Sequence, residues 1–164
     1  MTLHEMEKRL RRLEDIEEIQ NLQIRYCDYL IQARWDELID CMADDAIVDL
    51  HAGYCIGKIE FSKLFKEKIS LTHRGQEGNF AVHPIITVDG DTAKGSWLHY
   101  IRFAQPRKLD PIPEIFNTDK APDWIQGYYE MEYKRVKGEW KISMLKWRAR
   151  LVSPMTALIG YKAK

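Results

Sequence analysis

The sequence predicts a single α+β domain: N-terminal helices packed on one face of a strongly bent, mixed or antiparallel sheet that encloses a pocket. Two observations carry this. Helical apolar spacing is confined to the first half of the chain, and the second half reads as long alternating segments divided by Asp89-Gly90 and Lys137-Gly138. At 164 residues the chain fits one domain, 1–164, able to bury a core without disulfide or metal.

Thr2 and Glu5 form a Thr-x-x-Glu capping box, which starts a helix. Leu3, Met6, Leu10 and Leu13 then recur at alternating spacings of three and four, with Glu5–Arg9 and Glu7–Arg11 set one turn apart. Ile16, Ile19, Leu22, Tyr26 and Leu30 continue an apolar face rotated off the first. One long helix thus serves two surfaces. Residues 3–13 form an extension toward a neighbouring chain or the domain edge, and 16–31 a core helix. A second helix is expected over 35–42 and a third over 59–69, the latter with Phe61, Leu64, Phe65 and Ile69 on one face.

A short strand over 46–51 precedes a turn at Gly53–Gly57. Four longer strands are expected at 79–88, 92–103, 124–136 and 139–151, as an antiparallel meander. The Pro-rich stretch 104–123 is too long for a tight turn and reads as a lid, an arm or an oligomer contact. A bent sheet closing over helices leaves a cone whose mouth suits a small hydrophobic molecule.

Composition narrows the partners. Lys+Arg and Asp+Glu both number 25, so the basic footprint of a nucleic-acid binder is missing, and zero net charge favours association into a homo-oligomer. No apolar run is long enough to cross a membrane as a helix. Cys27, Cys41 and Cys55 are an odd set, and the opening Met-Thr-Leu-His-Glu carries no apolar signal segment. These features predict a reduced, cytoplasmic protein with free thiols. No metal or other cofactor is expected: His51 and Cys55 lack a matching pair, His4 and His73 sit in exposed contexts, and no phosphate loop or Ser–His–Asp motif occurs.

Alternate residues of a strand share a face, so Trp97, His99, Ile101 and Phe103 look into the cone together. His99 is then a lone imidazole on an apolar wall, its charged form disfavoured and its neutral form a base near physiological pH. Its other reading is a core histidine bonded to Tyr26, Tyr129 or backbone. Tyr26, on the buried helix face, either donates to a ligand oxygen or is a core tyrosine. Tyr129 and Met131 are expected on the pocket wall, with plain core as the alternative. His83 shares parity with Asn79 and lines the cone or ends a strand. Lys146, Arg148 and Arg150 read as an outward face opposite Glu130 and Glu132, the alternative being a cation in the mouth of the cone that binds a carboxylate or thioester phosphate, and Asp49 reads as outward, or as an inward carboxylate if the parity of its strand is reversed.

The run Asp15-Ile-Glu-Glu-Ile-Gln through Tyr26, then Arg34-Trp35-Asp36-Glu37-Leu38 and Ala43-Asp-Asp-Ala-Ile, resembles the opening of the SnoaL-like branch of the nuclear-transport-factor-2-like superfamily. Ile86-Thr-Val-Asp-Gly-Asp-Thr-Ala93 and Tyr133-Lys-Arg-Val-Lys-Gly-Glu-Trp-Lys-Ile142 resemble its later part. The resemblance covers about residues 12–150 and implies a cone-shaped α+β barrel, a deep pocket and a dimer or trimer. Its members include scytalone dehydratase, bile-acid dehydratases, dehydrochlorinases and polyketide cyclases. The dehydratases' Tyr falls on Tyr26, their Asp on Ile31, their His on Asn79, and a further Asp of the bile-acid enzymes on Ile101. Ile31 and Asn79 cannot act as an Asp–His pair, so that chemistry is not carried over. Asn79 could still offer its amide to a ligand oxygen.

Three functions follow. The first is a cofactor-free lyase or isomerase acting on a hydrophobic carbonyl compound (steroid-like, polyketide or aromatic), with His99 moving the proton and Tyr26 holding the enolate oxygen. Next comes a non-catalytic binder of a small hydrophobic ligand. The third is an assembly module using Leu3–Leu13 and the Pro-rich arm.

Overall fold

A computed structural model describes residues 1–71, 73, 77–102 and 122–154. The Pro-rich stretch, as far as residue 121, and Phe103 lie outside the described residues.

Helix α1 runs Leu3–Ile31, opened by the capping box: Glu5 N donates to Thr2 Oγ1 and Thr2 N to Glu5 Oε2. Its residues up to Glu14 are all exposed; from Asp15 onward Ile19, Leu22, Tyr26 and Leu30 are buried. α2 spans Trp35–Asp40. α3, Lys58–Lys63, widens into a π turn at Leu64–Lys68 and a 3-10 turn at Ile69–Leu71, where a plain α-helix was expected. The wide turn lets both Leu64 and Phe65 join Phe61 in the core, while Ile69 reaches the cavity wall.

The strands are β1 Met42–Leu50, β2 Gly53–Ile56, β3 Gly78–Asp89, β4 Thr92–Arg102, β5 Pro122–Val136 and β6 Glu139–Pro154. The segment expected as a turn, Gly53–Gly57, is mostly strand β2, and the chain reverses instead at His51-Ala52. β3 to β6 form the expected meander. Lys137 and Gly138 both take positive φ, 52° and 89°, as a two-residue hairpin requires.

The sheet order is β2-β1-β6-β5-β4-β3, and β1 pairs with β6 in parallel, so the sheet is mixed. It curls around α1 without closing into a barrel, since β2 and β3 remain its edges. The core lies between α1, α3 and the concave face. Within it Trp97 Nε1 donates to Tyr133 Oη at 2.9 Å, and Tyr133 Oη donates to Gln23 Oε1 at 3.0 Å, tying helix to sheet. At the far end Arg135 pairs with Asp15, lies 4.8 Å over the Trp140 ring, and Trp140 Nε1 donates to the same carboxylate.

Candidate functional site

Four buried side-chain atoms have no hydrogen-bond partner among the described residues: Asn79 Nδ2 and Oδ1, His99 Nε2 and Gln126 Oε1. Such atoms cost free energy unless a ligand or water satisfies them. Asn79 and His99 line one cavity of about 650 Å³ between α1, the turns after α3 and the concave sheet. A second hollow of about 580 Å³, beside Arg25, Asp40 and Lys141, has none of these atoms on its wall.

The strands place the two residues. His99 of β4 stands opposite Ala81 of β3, and Asn79 opposite Ile101, so Asn79 and His99 are diagonal neighbours with Cα atoms about 7–8 Å apart. On the other side His99 stands opposite Gly127 of β5, which in turn pairs with Ala149 of β6. A glycine is required there, because a Cβ would lie 2.7 Å from the Trp147 indole nitrogen. The indole therefore lies across Gly127, and its Nε1 donates to His99 Nδ1 at 2.9 Å.

That bond sets the tautomer. An indole N–H only donates, so Nδ1 must offer its lone pair and the proton of the neutral ring sits on Nε2. Burial, with a smaller contribution from the charge of His73, pushes His99 down to about 3, so the ring is neutral at neutral pH. With Nδ1 accepting from the indole, Nε2 turns its N–H toward the cavity. The histidine releases its proton more readily folded than unfolded. Its contribution to stability is therefore whole above pH 6.5 and is lost as the pH falls toward 3, by up to roughly 5 kcal/mol. Urea unfolding of wild type and His99→Gln across that range should show the slope in wild type and its loss in the variant.

Two phenols complete the wall. Tyr26 and Tyr129 meet edge to face at 6.1 Å, and Tyr129 lies 4.5 Å from the His99 ring. Burial raises both hydroxyls far above the ordinary phenol value, so both are neutral. Ile101, Ile125, Phe65 and Leu30 supply apolar wall.

The cavity thus brings together Tyr26, Asn79, His99, Ile101 and Tyr129 of the expected residues. Four others lie elsewhere. Trp97 and Met131 share the inward face but sit in the solid core under α1, Trp97 spending its N–H on Tyr133. Ile31 is half-buried at the end of α1, off the cavity wall. His83 is exposed, with φ 52° where the register of β3 and β4 shifts between Val82 and Ile85, because Pro84 cannot donate to the ladder.

Sequence reasoning missed Trp147, His51 and His73. His51 packs edge-on to Trp147, and its Nε2 accepts from Ala149 N at 3.3 Å. His73, read as exposed, is half-buried on the cavity wall. Trp147 was legible by parity. Lys146 bonds Glu130 and Arg148 bonds Asp49, both outward, which turns Trp147 and Ala149 inward.

A profile of the SnoaL-like domain matches residues 11–146, most of the chain. The chain belongs to the SnoaL-like domain family. Solved structures share this fold at low identity. One is an NTF2-like protein with a cystatin-like fold from Novosphingobium aromaticivorans (18% identity, TM-score 0.71, 98% of each chain covered). Another is a scytalone dehydratase-like protein from the same organism (16%, TM-score 0.67, 92% of this chain and 97% of that one). A third is the hexachlorocyclohexane dehydrochlorinase LinA-type3 from Novosphingobium barchaimii (19%, TM-score 0.72, 94% and 97%). This SnoaL-like domain therefore has an NTF2-like fold, and its own side chains must carry any statement about chemistry.

Proposed function

We propose that this SnoaL-like protein is a cofactor-free lyase or isomerase acting on a small hydrophobic carbonyl compound. The observation that carries the reading is the buried, unpartnered Nε2–H of His99 on a largely apolar cavity of about 650 Å³. The kinship of the fold to proteins described as dehydratase-like and dehydrochlorinase supports the same reaction class. A steroid-like, polyketide or aromatic skeleton would fill the apolar space.

In this reading the carbonyl oxygen accepts from His99 Nε2–H and from the Asn79 amide. Both donors are desolvated and fixed before reaction, the condition under which such bonds lower a barrier most. As the adjacent C–H breaks, its electron pair enters the carbonyl system and the oxygen becomes an enolate held by those donors. The proton passes to an imidazole on the wall, His51 or His73. Return of the proton at another carbon isomerises the compound; departure of a β-substituent completes a lyase reaction.

A panel of hydrophobic ketones in deuterated water tests this. Wild type should exchange the α-hydrogen of at least one ketone. His99→Ala should slow that exchange about a hundredfold to a thousandfold, with melting showing that the fold survives. Wild-type exchange by His99→Ala would overturn the mechanism.

A second reading, a non-catalytic binder, is favoured by one observation: among the described residues no Asp or Glu lines the cavity. It predicts tight binding of the same compounds with neither exchange nor product.

A further inference from the structure

We propose that the first turns of α1 form a parallel two-helix seam with a second copy of this chain. This inference is independent of the chemistry in the cavity.

Residues 1–14 are exposed throughout, so this part of α1 lies clear of its own domain. Leu3, Met6, Leu10 and Leu13 are 69%, 44%, 58% and 64% exposed. Their spacing is that of heptad a and d positions, two of each. At 3.6 residues per turn the stripe lies about half a turn round the helix from Ile19, Leu22, Tyr26 and Leu30, which face the sheet. The domain's own sheet therefore cannot cover it. Two copies joined by this stripe would hold their buried helix faces, and the sheets against them, on opposite sides of the seam. Glu17 and Gln20 occupy the next a and d positions and end the apolar contact.

The flanking charges choose the occupant and its direction. With Leu3 at a, Glu7 and Glu14 fall at e and Arg9 at g. Parallel helices set g against the e position of the following heptad, so Arg9 faces Glu14 of the second copy, twice by symmetry. An antiparallel pair would instead set e against e and g against g, Glu against Glu and Arg against Arg. Arg9 and Glu14 have no ion-pair partner among the described residues of a single chain. The pattern is self-complementary in one orientation only. A seam this short gives a weak dimer that dissociates on dilution.

Sedimentation equilibrium of the full chain over a concentration series tests this, with helix content followed by circular dichroism. Wild type should associate reversibly. Leu10→Glu, at an exposed position that leaves the fold intact, should weaken association at least tenfold, as should Arg9→Glu. The double exchange Arg9→Glu with Glu14→Arg should restore it. Leu3→Cys, in a Cys55→Ser background, should cross-link to itself on oxidation, since parallel helices bring equal positions together. A wild-type monomer throughout the series, or association untouched by Leu10→Glu, would overturn the proposal. So would cross-linking of Leu3→Cys to Leu13→Cys in place of itself, which would mean the opposite orientation.

Discussion

Gly127→Ala should cost about 3 kcal/mol of stability, or roughly 9 °C in Tm, and strip the cavity of its oriented imidazole. The added Cβ would lie 2.6 Å from the Arg148 carbonyl oxygen and 2.7 Å from the Trp147 indole. The carbonyl belongs to the β5–β6 ladder and cannot retreat without breaking it; the indole can, but only by leaving His99 Nδ1. Both effects are measurable. Differential scanning calorimetry reads the stability loss, and nitrogen NMR of the His99 ring reads the tautomer, one protonated nitrogen in wild type giving way to exchange between two. Trp147→Phe separates them: it should keep most of the stability yet lose the tautomer and the ligand affinity that depends on it. Adding Trp147→Ala to Gly127→Ala should recover the part of the stability due to the indole clash and leave the part due to the carbonyl. A Gly127→Ala variant with wild-type melting and an unchanged ring spectrum would show that the close approach is not required.

Arg135→Met should destabilise the fold by about 3–5 kcal/mol, because it leaves the Asp15 carboxylate buried without its counter-charge. The Asp15 side chain is only 8% exposed, and Trp140 Nε1 at 3.3 Å would be its one remaining side-chain donor among the described residues. Arg135 also donates to the Gly138 carbonyl at 2.8 Å and covers the Trp140 ring, so the loss includes packing at the β5–β6 hairpin. Urea unfolding would measure it. The double variant Asp15→Asn with Arg135→Met should be more stable than Arg135→Met alone, since the neutral amide leaves no buried charge. If the double variant is the weaker of the two, the burial penalty is not the cause.

The same pair shows what a linear reading misses. Asp15 and Arg135 are far apart in sequence, and each by itself looks like an ordinary surface charge. Only the lie of α1 against the sheet brings Asp15 of the helix to Arg135 of β5. The parallel β1–β6 pairing was not legible either, because hairpin signals report neighbours in sequence and a crossover leaves no local mark. By contrast the helix and strand identities followed from period: the apolar spacing of α1 and the alternation of β4 need only adjacent residues to be seen.

For the site the division is similar. Parity along β4 predicted that Trp97, His99 and Ile101 face inward, and they do. Parity cannot tell a residue at a cavity from one in solid core, since both are apolar and buried. Trp97 and Met131 therefore fell on the core side of a boundary set by where α1 lies. The tautomer of His99 was decided by one contact, the indole of Trp147, which lies two strands away and reaches the ring across a glycine. Composition and spacing determined that this chain folds as helices under a curled sheet with an imidazole facing in. Which nitrogen of that imidazole carries the proton was decided by the tertiary structure alone, because a tautomer depends on the hydrogen-bonding sense of whatever side chain the fold sets beside it.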